Sequence, residues 1–143
     1  MMDKHQKQKA KGFTLIELLV VLVILAAITG LVAPQFIGRG EQAKVDLVTS
    51  DLKTIEQQLE MYRLDNFAYP STDQGLKALV SKPSGSPEPK NWKGPYIKGV
   101  AKDPWGNPYL YANLDGTIEI LSLGADSQQG GTGTNADISS ATE

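Results

Sequence analysis

Few side chains in this sequence are equipped for chemistry, and the rarest types exclude the most. Cysteine is absent, which removes disulfides, thiolate metal sites and thiol nucleophiles together. The single histidine, His5, lies among Lys4, Lys7, Lys9 and Lys11, so no triad, histidine-ligated zinc or buried imidazole base can be assembled. Lys and Arg number 14 against 16 Asp and Glu, a formal charge of −2, and without a basic footprint nucleic acid is not an expected partner. Two carboxylate arrangements remain. Glu17 is the one charge in an otherwise apolar run, where a carboxylate costs about 1 to 3 kcal/mol depending on its depth in a bilayer. Asp126 and Asp137 bracket the twelve residues DSQQGGTGTNAD, with Gly131 sixth. That frame partly follows the calcium loop of an EF-hand, but Gln128 and Gly130 stand where acids belong, and the last ligand is Asp rather than Glu. On composition alone the same stretch is a disordered tail, and the pattern leaves both readings open.

Positioning these groups falls to a chain whose apolar content, 41%, and charged content, 21%, are near globular averages. At 143 residues it has room for one sizeable core. Residues 1–12 form a basic tail, and 13–33 read FTLIELLVVLVILAAITGLVA, 21 residues with one charge. A helix of that length spans the roughly 30 Å hydrocarbon layer, and lysines on its N-terminal side place that end in the cytoplasm. A secretory signal peptide cut near Ala26 or Ala27 is the bland alternative. Glu17 argues against it, as does the small Gly12 lying before the apolar run rather than after it. So does the pattern beyond Pro34, where Val45, Val48, Leu52, Ile55, Leu59 and Tyr62 recur at the three-and-four spacing of one helical face. One helix from Phe13 to about Asp65, kinked at Pro34 and about 80 Å long, is expected. The remaining 78 residues cannot cover it, so its first half needs lipid and then other subunits. Beyond it, Thr72–Val80 reads as a second short helix and 82–90 as a surface loop rich in Pro, Gly and Ser. Tyr109–Ala112 and Thr117–Leu121 read as a hairpin around Asn113-Leu114-Asp115-Gly116. Tyr96, Trp105 and Tyr109 are expected to fill the core beneath a small antiparallel sheet rather than to stack on a ligand.

The junction Lys11-Gly12-Phe13-Thr14-Leu15-Ile16-Glu17 resembles a type IV prepilin signal. Three later stretches narrow the likeness: Asp65-Asn66-Phe67-Ala68-Tyr69-Pro70, Thr72-Asp73-Gln74-Gly75-Leu76-Lys77-Ala78-Leu79, and Asp103-Pro104-Trp105-Gly106-Asn107-Pro108-Tyr109. In this order they resemble the G pseudopilins of type II secretion, over almost the whole chain. The resemblance implies a type IV pilin-like α+β fold, with a long N-terminal helix whose first half is membrane-inserted, packed on a small antiparallel sheet with a C-terminal calcium loop. It divides the chain into a cleaved leader (1–12), a transmembrane and assembly helix (13–33), its amphipathic continuation (34–65) and a periplasmic globular domain (66–143) with loop 123–139.

The same resemblance implies a function without catalysis: the major subunit of a periplasmic pseudopilus that helps export folded proteins across the outer membrane. A prepilin peptidase cuts after Gly12, and Phe13 becomes the N-methylated terminus. Glu17 then pairs with the Phe13 amine of a neighbour during assembly. Calcium is the implied cofactor, held by the Asp126 and Asp137 carboxylates, the carbonyls of Leu123 and Gln128, and Thr134. Expected partners are further copies of the chain, the peptidase, minor pseudopilins and the inner-membrane platform. The expected location is the bacterial inner membrane, single-pass, with the N-terminus cytoplasmic, and after assembly the periplasmic filament. A type IV pilin for adhesion, motility or DNA uptake is the rival; a membrane-anchored calcium-binding module is the rival of another class. After Ile138, Ser139-Ser140-Ala141-Thr142-Glu143 replaces an aromatic-containing ending found in many relatives.

Overall fold

The computed structural model describes residues 12–100 and 102–142, apart from the side chains of 32–37 and of Thr142. Most of the expected leader and the side chain of Pro34, with its expected kink, therefore lie outside the described residues. Helix α1 spans Leu15–Asn66, beginning two residues later than the apolar run because Thr14 caps it. Thr14 Oγ1 accepts the Glu17 N–H at 3.3 Å while Glu17 Oε2 accepts the Thr14 N–H at 3.0 Å. This is the reciprocal capping box that Thr-x-x-Glu encodes.

Two compact units divide the chain, one ending at Arg39 and the other running from Gly40 to Glu143. In the first unit every described side chain is exposed, from Phe13 at 83% to Leu31 at 74%. Apolar residues face all directions there, the pattern of a helix whose surroundings come from outside its own chain. Deeper in the run, the Thr29 hydroxyl is satisfied by donating to the Leu25 carbonyl at 2.8 Å. Among the described residues no helix is long and apolar enough to cross a membrane, and the described apolar side chains of the run stop at Leu31.

In the second unit one face of α1 is buried. Val48, Leu52, Ile55, Leu59 and Tyr62 pack with Leu76, Ala78, Leu79, Tyr109 and Ile120, as the three-and-four spacing requires; Val45, at the edge, is half-buried. Strands β1 (Leu110–Leu114), β2 (Thr117–Ser122) and β3 (Ile138–Ser139) form an antiparallel sheet in the order β1-β2-β3. The hairpin turn is tighter than expected. Leu114 pairs with Thr117, leaving only Asp115 and Gly116, at φ 52° and 90°, to make the turn. Positive φ at both central residues belongs to the two-residue turn whose twist suits a hairpin. The short third strand brings the terminus back onto β2, where Ser140 Oγ accepts the Ile120 N–H at 2.9 Å and Ser139 Oγ donates to Glu119 at 2.7 Å.

Two expectations need correction. Thr72–Val80 is not a helix: turns lead into a 3₁₀ segment, Leu76–Leu79. Gly75, at φ 59° and ψ −168°, lies outside helical geometry, and the inward residues Leu76, Ala78 and Leu79 need no more than one tight turn. Of the three aromatics assigned to the core, only Tyr109 is buried; Tyr96 and Trp105 are half-buried and packed against its edge. Buried or half-buried, all three reach α1 through their polar tips. Tyr96 donates to Asp65 at 2.9 Å, Tyr109 to Asp51 at 2.7 Å and Trp105 to Glu41 at 3.5 Å, so three aromatics fasten the 96–109 connector to three carboxylates of α1.

Candidate functional site

The predicted site residues fall into two separate regions. At the N-terminal end Gly12 and Phe13 precede the helix and are exposed. Glu17 sits in the first turn, committed to Thr14 through both the backbone bond and a side-chain contact of 3.3 Å to Thr14 Oγ1. A carboxylate at a helix N-terminus also meets the positive end of the helix dipole, so the chain itself offsets part of the cost of this charge. The Thr14 partner was readable from the Thr-x-x-Glu spacing; sequence reasoning singled out the glutamate and missed its cap.

The second region follows β2. Asp126 is exposed and its Oδ1 accepts the Gln128 N–H at 3.1 Å, closing a local turn. Asp137 is half-buried; its Oδ2 accepts the Gly130 N–H at 2.9 Å. Its other oxygen, Oδ1, is enclosed with no hydrogen-bond partner. Thr134 lies in the short 3₁₀ segment Gly133–Asn135, and its carbonyl accepts the Ala125 N–H at 2.9 Å, tying the end of the loop to its start. Leu123 is half-buried immediately after β2. Hydrogen bonds thus bring together Asp126 with Gln128, the loop centre with Asp137, and Ala125 with Thr134.

This donor set can be tested against a metal. An enclosed carboxylate oxygen without a partner costs on the order of 1 to 3 kcal/mol, a cost that a cation would remove. Among the described residues no three His, Cys, Asp or Glu gather, so any ion would rely on carbonyl and hydroxyl oxygens beside two carboxylates. Such hard oxygens suit calcium and not zinc, so in donor chemistry the residues present fit a calcium ion.

Comparison with known proteins covers the chain from residue 7 to residue 141. Residues 35–141 match the family model described as type II secretion system (T2SS), protein G, and residues 7–33 match the prokaryotic N-terminal methylation motif. The chain is 53% identical over 136 residues to the type II secretion system core protein G of Pseudomonas aeruginosa, covering 93% of this chain and 96% of that one. It is 50% identical over 140 residues to the protein of the same name from Vibrio cholerae, covering 96% and 94%. Among solved structures, it is similar to the crystal structure of the major pseudopilin from the type 2 secretion system of enterohaemorrhagic Escherichia coli. The TM-score is 0.62 at 43% identity, covering 73% of this chain and 91% of that chain. The long helix and three-stranded antiparallel sheet are therefore a type IV pilin-like fold, and the methylation motif marks a membrane-anchored component of the secretion apparatus. On these matches the chain belongs to the protein G family of the type II secretion system, the family of major pseudopilins.

Proposed function

We propose that this chain is the building block of a periplasmic pseudopilus, inserted with its N-terminus in the cytoplasm and its C-terminal domain in the periplasm. A prepilin peptidase cleaves it after Gly12. The observation that carries the reading is the described stretch of α1 up to Leu31, whose apolar side chains are exposed on every face. Lipid satisfies that surface before assembly, and the same helices of neighbouring copies satisfy it afterwards. Minor pseudopilins and the inner-membrane platform are the further partners of that assembly.

Cleavage takes the formal charge of the chain from −2 to −5 and frees the Phe13 amine, a cation when protonated. In the monomer Glu17 is held by Thr14; in the filament it exchanges that partner for the amine of a neighbouring copy. Pairing the two charges offsets much of the cost of desolvating each. Intact-mass measurement on the membrane fraction is expected to show a chain beginning at Phe13 with one added methyl group. A terminus near Thr29 would restore the signal-peptide reading. Glu17→Gln and Glu17→Val are expected to insert and be processed, yet to enter filaments poorly. Normal filament yield from both would overturn the pairing.

Calcium is the expected resident ion of loop 123–139, supported by the enclosed, partnerless Asp137 Oδ1. Asp126 and Asp137 would supply charge, with Leu123, Gln128 and Thr134 supplying neutral oxygens. Once bound, the ion neutralises two acids and contributes its binding free energy to folding of the C-terminal part.

A further inference from the structure

The Asp103-Pro104-Trp105-Gly106-Asn107 turn lies outside loop 123–139, yet a buried chain of hydrogen bonds leads from it into the loop. Asp103 is 4% exposed. Its Oδ1 accepts the N–H groups of Trp105 at 3.1 Å and Asn107 at 2.8 Å, and its own N–H donates to the Asn107 carbonyl at 2.8 Å. These bonds fix the carboxylate within its turn. The remaining oxygen, Oδ2, accepts the hydroxyl of Ser122 at 2.9 Å, and Ser122, at the end of β2, is 0% exposed.

A carboxylate only accepts, so the single Ser122 proton is committed to Asp103 and a lone pair is left facing the other way. Gly124 uses it, donating its N–H to Ser122 Oγ at 3.3 Å. The Leu123–Gly124 peptide is not among the cis bonds of the chain. Because a trans peptide is planar, holding the Gly124 N–H also fixes the direction of the Leu123 carbonyl, which points the opposite way. Gly124 is pinned from its other side as well. It takes φ 68°, and a Cβ there would stand 2.8 Å from the carbonyl oxygens of both Thr134 and Ala136. The two ends of the loop meet at this residue with no room for a side chain.

We propose that Ser122 and Asp103 are positioning residues for the metal loop: through the Gly124 N–H they aim the Leu123 carbonyl as a ligand for a hard divalent cation. The inference rests on the calcium reading above and deepens it. Neither residue touches the ion; they act as outer-shell partners act on ligating groups at other metal sites.

The test uses the full-length chain in detergent micelles, with melting followed in excess calcium and in excess chelator, and calcium affinity measured by titration calorimetry. The unsubstituted chain is expected to melt higher with calcium. Ser122→Ala is expected to weaken calcium binding about tenfold, the scale on which outer-shell substitutions act, and to shrink the melting increment between chelator and calcium. Asp103→Asn keeps the side chain's size but weakens the acceptor; a smaller loss in the same direction is expected, readable even where Ser122→Ala fails to fold. A merely structural role would lower both melts equally. An unchanged increment and affinity in these variants, beside a responsive unsubstituted chain, therefore overturns the inference. No increment in the unsubstituted chain overturns the metal reading itself, and this inference with it.

Discussion

Glu60 shows how single charges are used where α1 ends. Its carboxylate pairs with Arg63 one turn on and accepts the Tyr69 hydroxyl at 2.6 Å, while the Arg63 guanidinium lies 5.5 Å from the Tyr69 ring centroid. The bond from Arg63, and after it the bond from Tyr69, hold the Glu60 pKa down to about 2. Because the folded pKa is depressed, the stabilisation is fully present above the ordinary carboxylate value near 4.5. It is lost as pH falls toward about 2. Melting temperature is accordingly expected to drop across that window, and Glu60→Gln is expected to flatten the drop by lowering the melt at pH 7, where the charged carboxylate contributes, toward its low-pH value. An equally steep drop in the variant would assign it to other carboxylates. A second residue acts through position rather than charge. Tyr109 is buried, with its hydroxyl on Asp51, and burial followed by that carboxylate pushes the phenol pKa far above its usual value. Tyr109→Phe keeps the packing and loses one hydrogen bond to a charged group, so chemical denaturation should show a loss of about 1.5 to 3 kcal/mol.

At the scale of elements, the amphipathic face of α1 organises the domain. Leu59 is fully buried at its centre, and Leu59→Ala is expected to destabilise by about 2 to 5 kcal/mol through lost burial and the cavity left behind. The hairpin gives a sharper local test. Gly116 sits at φ 90° with open space around its Cβ position, so Gly116→Ala meets no neighbour and registers only backbone strain, on the order of 1 kcal/mol. Denaturation of the two variants side by side separates packing from conformational strain. These elements were legible in the sequence because periodicity records burial directly: steps of three and four gave the helical face, and Asp-Gly between apolar runs gave the hairpin. What the sequence hid depended on partners distant along the chain. Nothing local to Trp105 or Tyr96 announces that its polar tip will reach Glu41 or Asp65. Asp103 and Ser122 were hidden in the same way, because a buried hydrogen bond across 19 positions leaves no periodic trace. The loop aspartates were visible only as a partial pattern, and the enclosed Asp137 oxygen needed the folded chain to appear.

For the molecule as a whole, calcium and assembly are the terms to connect. Asp126→Ala and Asp137→Ala are each expected to abolish the calcium-dependent rise in melting temperature and to reduce filament yield. Magnesium should restore stability less well than calcium, because its small octahedral shell suits an irregular loop badly. Identical melting of the unsubstituted chain with calcium and with chelator would return the loop to a plain tail. The end of α1 carries a mechanical consequence. Asn66 is 5% exposed; its Nδ2 donates to the Tyr62 carbonyl at 2.9 Å and to the Tyr96 hydroxyl at 3.4 Å, and its Oδ1 accepts the Asn91 N–H at 3.0 Å. One amide therefore rivets the helix terminus to the connector carrying Tyr96. A pull along α1 would therefore be resisted at its last residue by two bonds from a single side chain, in addition to the packed face that runs from Val48 to Tyr62.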